Sequence, residues 1–172
     1  MSPYPYGSEP FGQSPVTIVL RHRKENLKKC SLRGLESRSD FLFLTYPADS
    51  LPDLSEYISL TLDAPPLTRE DSCRGLFLID ATWRYAETMQ KSIAPLHGVV
   101  PRSIPSEFRT AYPRKQTECS DPERGLASLE ALYIAYRMMG REAEKLLESY
   151  YWRARFLEIN SHLFNCYESR NE

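Results

Sequence analysis

Between Gly75 and Trp83 the chain reads Gly-Leu-Phe-Leu-Ile-Asp-Ala-Thr-Trp. Four apolar residues in a row, Leu76 to Ile79, follow a glycine, and polarity switches at Asp80. A short continuous apolar run bounded by turn signals reads as a strand covered on both faces. A helix-compatible segment starts near Trp83 and runs to about Lys91, with Asp80 or Thr82 as its N-cap. In an open α/β sheet, ligands bind where such a strand hands over to a helix. Asp80, Thr82 and Trp83 are therefore the first candidate site residues.

The remaining elements fit an α/β domain with strands mostly N-terminal and helices C-terminal. Val16 to Leu20 and Phe41 to Tyr46 read as strands, the second stopped by Pro47. Leu51, Leu54, Tyr57 and Ile58 fit one helical face, while Ile58 to Leu62 fits a short strand equally well. From 92 to 125 there is little periodicity but many punctuators, a pattern common in functional loops. Leu129, Leu132, Tyr133, Tyr136 and Met139 then follow helical spacing, with Gly140 as a stop. Ala143 to Leu157 predicts a second amphipathic helix, and Ile159 to Cys166 a third apolar patch. Residues 1–14, rich in Pro, Gly and Tyr, read as a flexible arm before a single domain over 15–172.

Cysteine and charge narrow the chemistry. Cys30, Cys73, Cys119 and Cys166 lie far apart, and His22, His97 and His162 offer no metal pair, so neither zinc nor a disulfide framework is expected. No run is long enough to span a membrane, and the N-terminus does not read as a signal peptide. A cytoplasmic protein is expected. There is no Walker loop, no Gly-x-Gly-x-x-Gly and no Gly-x-Ser-x-Gly elbow. The net charge of −1 hides segregation: residues 21 to 38 hold seven Lys and Arg against Glu25 and Glu36, an excess of five. Such a segment suits a phosphate backbone, or is a solvated loop. Arg102, Arg109, Arg114 and Lys115 form a second basic group.

Single residues stay ambiguous. Asp80 can cap the helix, hold a cationic amine or act as a base. Trp83 can be core or a flat wall for a ligand. Ser128 can cap the long helix, whose free amides also suit a carboxylate. Glu130 sits in its first turn and favours the dipole.

In order, the motifs are Lys28-Lys-Cys-Ser31, Ile79-Asp80-Ala-Thr-Trp83, Arg102-Ser-Ile-Pro105 and Ala111-Tyr-Pro113. Then come Leu126-Ala-Ser-Leu-Glu-Ala131 and Tyr151-Trp-x-x-x-Phe-Leu-Glu-Ile-Asn160. Together they resemble the small-subunit ribosomal RNA aminocarboxypropyltransferases, relatives of the DTW-domain tRNA-uridine enzymes. The resemblance covers most of residues 16–167. It implies a SPOUT-like fold, knotted in its C-terminal part, that cradles S-adenosylmethionine. It also implies transfer of the 3-amino-3-carboxypropyl group to the imide nitrogen of a uridine or modified pseudouridine. Carried over by position, the cofactor contacts fall at Ser31, Ile79, Trp83, Ile104, Arg124, Leu126 and Ser128. Asp80 stands near the transferred group as the catalytic candidate, and no metal is implied. RNA contacts fall at Arg23, Lys24, Lys28, Lys29, Arg33, Arg102, Arg109 and Arg114. The implied partner is ribosomal RNA or a precursor of the small ribosomal subunit.

Two departures qualify the match. The family's Asp-Cys-Ser-Trp is Asp80-Ala-Thr-Trp83 here, nearer the tRNA relatives, and the stretch from Pro113 to Leu126 is longer. Trp152 to Asn160 favours the ribosomal branch. The same transfer to tRNA, and a non-catalytic RNA-binding assembly factor of this fold, are the alternatives.

Overall fold

A computed structural model describes residues 14–113 and 125–169, with 94–97, 168 and 169 described by backbone alone. Most of the N-terminal arm, together with Arg114, Lys115, Cys119 and Arg124, therefore lies outside the described residues.

Five strands form one parallel sheet: β1 (Thr17–His22), β2 (Phe41–Tyr46), β3 (Tyr57–Leu60), β4 (Gly75–Asp80) and β5 (Val100–Arg102). Their order is β2-β1-β4-β3-β5, and every pairing is parallel. β1 and β4 lie centrally, where both faces are covered, and carry the most continuous apolar runs.

Alternation along the strands divides the core into two layers. Ile18, Leu20 and Phe77 point to one face, where they pack with Met89 and Ile93 of helix α1 (Trp83–His97). Val19, Leu76 and Leu78 point to the other, against α2 (Ser128–Met138) and α3 (Arg153–Ser169). There Tyr133, Phe156 and Phe164 meet edge to face.

Three boundaries differ from the sequence reading. α1 runs on past Pro95 and ends at Gly98, whose φ of 66° is the left-handed conformation that glycine adopts at helix ends. β5 was not expected, because Pro101 sits in its middle. It is the edge strand beside β3, where a missing amide is tolerated. The helix expected over Ala143 to Leu157 is instead a 3-10 turn at Glu144–Leu147 followed by the longer α3. The links between them are turn bonds, Tyr150 N to Leu147 O at 3.0 Å and Arg153 N to Tyr150 O at 3.1 Å. The Tyr150 hydroxyl holds this turn inward by donating to Glu130 at 3.0 Å.

Candidate active site

A cleft of about 1260 Å³ opens where the strands end and α1 begins. Its walls come from the loop after β3 (Thr61, Leu62, Asp63), the β4–α1 junction (Ile79, Ala81, Thr82, Trp83) and the first turns of α1. Ile104, Pro105 and Ser106 after β5, and Leu126 and Ser128 at the start of α2, complete it. Small-ligand pockets usually measure about 300–1,000 Å³. This one has room for a nucleoside-sized donor and part of a second molecule.

Of the seven residues expected to hold a cofactor, Ile79, Trp83, Ile104, Leu126 and Ser128 line this cleft. They come from three separated stretches of chain and meet only through the fold. Ser31 does not line it. Its Oγ instead accepts the Leu129 amide at 3.3 Å, so it attaches the basic segment to the first turn of α2. Arg124 lies outside the described residues.

The α1 end of the cleft is a helix N-terminus without a side-chain cap. Thr82 occupies the cap position, and its carbonyl accepts from Tyr85 and Ala86. The amides of Trp83 and Arg84 are left for solvent or ligand, which suits an anionic group. Arg84 lines the cleft and is exposed. The Trp83 indole Nε1 is buried without a protein partner.

Asp80 is not the helix cap. It lies between Ile79 and Ala81, which line the cleft, but does not line it itself. Alternation turns its side chain to the opposite face, where it is 4% exposed. Asp80 Oδ2 accepts from Arg21 Nε at 2.7 Å and from Cys30 Sγ at 3.2 Å. Arg21 also donates to Glu36 at 2.8 Å and lies 4.7 Å over the Phe43 ring. Burial alone would lower the Arg21 guanidinium, but the bonds to Asp80 and Glu36 outweigh it and raise the group above its ordinary value. Burial, and then the Asp80 charge, push the Cys30 thiol up to about 12. It is a protonated donor here, not a nucleophile.

Two buried polar residues fix the wall formed by residues 104–111, and sequence reasoning missed this role for both. Glu130 is fully buried. It accepts from the amides of Ala111 at 2.9 Å and Ala127 at 2.8 Å. It also accepts from the hydroxyls of Thr110 at 2.6 Å and Tyr150 at 3.0 Å. The Ala127 bond shows that α2 is capped one residue earlier than expected, with Glu130 as the third helical residue. Asn160, also fully buried, accepts the Arg109 amide and donates to the Arg109 carbonyl, both at 2.9 Å.

The expected RNA-contacting cations divide into two groups. Arg23, Lys24, Lys28, Lys29 and Arg33 are exposed on the turns after β1. Arg102 is engaged by Asp71 at 3.0 Å, and Arg109 donates to the carbonyls of Ser106 and Phe108. Arg114 is outside the described residues. Among the described residues, no three His, Cys, Asp or Glu side chains are placed to share a metal ion, and no helix is long and apolar enough to cross a membrane.

No family model matches the chain, and no curated protein matches it. Among solved structures it is similar to the SAM-dependent rRNA:acp-transferase Tsr3 from Vulcanisaeta distributa, with a TM-score of 0.71 and 26% identity. The alignment covers 91% of this chain and 84% of that one.

Proposed function

We propose that the protein is an S-adenosylmethionine-dependent RNA aminocarboxypropyltransferase acting on small-subunit ribosomal RNA. The observation that carries this is the joining of Ile79, Trp83, Ile104, Leu126 and Ser128 around one cleft. The sequence motifs had marked these residues, and the fold is that of an rRNA:acp-transferase. The match in fold over most of both chains supports the SPOUT-like reading, with its knotted C-terminal part, for a single catalytic domain over 15–172. We place this activity in the cytoplasm, as a step of ribosome biogenesis.

The cleft residues fit the donor. Ile79 and Ile104 offer apolar surface and backbone groups to an adenosine, and Trp83 walls the pocket. Ser128 and the unbonded amides of Trp83 and Arg84 suit the carboxylate of the amino acid part. When bound, S-adenosylmethionine supplies a γ-carbon beside its sulfonium, to which the imide nitrogen bonds as methylthioadenosine leaves. The motifs mark Asp80 as the catalytic candidate, but its side chain lies across the sheet from the cleft, so its proposed part is to brace the β4–α1 wall from behind through Arg21 and Cys30. Arg23, Lys24, Lys28, Lys29 and Arg33 are placed to meet RNA phosphates, with Arg102, Arg109 and Arg114 as further proposed contacts, while Arg124 is kept as a proposed cofactor contact.

The test is incubation with S-adenosylmethionine labelled in the carboxyl or in the methyl group, together with small-subunit rRNA or tRNA. Carboxyl label entering rRNA is the expected result. Label from the methyl group alone makes the protein a methyltransferase, and label in tRNA alone moves the substrate. Absence of any S-adenosylmethionine binding leaves an RNA-binding assembly factor.

A further inference from the structure

Beside the cleft, the C-terminal ends of β1 and β2 carry an aromatic cluster that the proposed chemistry does not use. His22 and Tyr46 are register partners, with ring centroids 5.9 Å apart. Tyr85, on the first turn of α1, lies nearly parallel to His22, with centroids 4.2 Å apart and planes 6° apart. All three rings are only half-buried, and Tyr85 also lines the cleft. The Lys24 amide donates to His22 Nδ1 at 3.2 Å and so holds the imidazole in place. Burial, then the charges of Lys24 and Arg23, lower the His22 pKa and favour a neutral stacking ring.

Cations surround this column. The Lys24 ammonium lies 5.9 Å from the Tyr85 ring centre, and Arg23 and Arg84 are exposed beside it. An exposed cation–π contact is weaker than a base–aromatic stack, so Lys24 can yield Tyr85 to a base and move to its phosphate. Half-exposed rings flanked by cations suit single-stranded RNA, whose bases stack while its phosphates pair.

We infer that Tyr46, His22 and Tyr85 form a stacking platform for an unpaired nucleotide flanking the modified one, with Arg23, Lys24 and Arg84 on its phosphates. This rests on the RNA-modifying reading above. It adds that the substrate is held single-stranded, by base stacking, at the rim of the cleft.

The test uses the full chain and a fluorescein-labelled oligouridine of about twelve nucleotides, within the site sizes of single-strand binders. His22→Ala and Tyr46→Leu are expected to weaken binding about fivefold or more, with an unchanged slope of log affinity against log salt. Tyr46→Phe keeps the ring and the affinity. Lys24→Ala weakens binding and flattens the salt slope by about one. Ring-deleting variants that bind like the parent, or a Tyr46→Phe loss equal to that of Tyr46→Leu, overturn the platform. If His22→Ala does not fold, His22→Phe must retain affinity, and its failure to do so counts equally against the inference. Titration of each variant with S-adenosylmethionine separates the two readings. A parent that binds RNA through its rings but binds no S-adenosylmethionine overturns the proposed function and leaves the platform standing.

Discussion

Arg21 and Asp80 are register partners on adjacent parallel strands, and their side chains meet at 2.7 Å on the sheet face opposite Ile79. The carboxylate at the strand-to-helix junction therefore ties the basic segment to the sheet while its two neighbours form the cleft wall. Cys30 and Glu36 join the same group, so residues 21 to 36 are anchored at three points.

Removing Asp80 strands a cation whose side chain is 12% exposed. Breaking one side of a buried pair costs about 3–5 kcal/mol, and Glu36 softens this by keeping one bond to Arg21. Asp80→Ala is expected to lose about 3 kcal/mol in urea denaturation. Arg21→Met in the same background should recover part of it. A loss under 1 kcal/mol would show that the pair is solvated in the working protein.

Glu130 and Asn160 hold the far wall. Glu130→Ala leaves two amides and two hydroxyls without their acceptor. At about 1–3 kcal/mol per stranded buried group, with some reached by water, a loss of about 3 kcal/mol is expected in thermal melting. Asn160→Ala releases the Arg109 amide and carbonyl and one bond to the Phe156 carbonyl of its own helix, and should cost less. Both variants should weaken S-adenosylmethionine about tenfold by calorimetry, because Ile104 and Pro105 share the loop they hold. Glu130→Gln should rescue stability only in part, since its amide faces donors.

Cys30 gives a pH signature. Its thiol ionises at 9.0 when unperturbed and at about 12 in the fold. Below pH 9 both states hold the proton and stability does not depend on this group. Between pH 9 and about 12 the unfolded thiol loses its proton while the native one keeps it, so stability falls as pH rises. Cys30→Ala should remove that slope. At about pH 8, iodoacetamide should label exposed Cys73 and Cys166 well before Cys30, as read by peptide mass spectrometry.

Local pattern made the central part of this fold legible and left its cross-chain contacts hidden. The β2 bounds and the β4–α1 junction followed from short apolar runs, and the body of α2 from its spacing. The ordered motifs marked five residues that line the cleft. β5 stayed hidden because a three-residue edge strand with a central proline has no periodic signal. Glu130 read as an ordinary first-turn acid, since its bonds to Thr110 and Ala111 span about twenty residues of sequence. The Arg21 partner of Asp80 lies 59 residues away, and only the parallel register brings the two together.

The cleft itself can be tested without catalysis. Ile104 and Ser128 lie on the β5 loop and the first turn of α2, and both line the cleft while only partly buried. Ile104→Trp and Ser128→Leu add volume toward open space and not into packed core, so the usual overpacking cost of about 1–3 kcal/mol should be largely avoided. Each is expected to keep the melting temperature close to that of the parent and to weaken S-adenosylmethionine at least tenfold by calorimetry. Oligouridine affinity should hold in both, because the proposed RNA contacts come from the basic turns and the ring column. If both bulky variants bind S-adenosylmethionine like the parent, the donor does not sit between the β5 loop and α2. If they lose RNA and keep S-adenosylmethionine, the cleft is the base site, and the donor must then lie on the Asp80 side of the sheet.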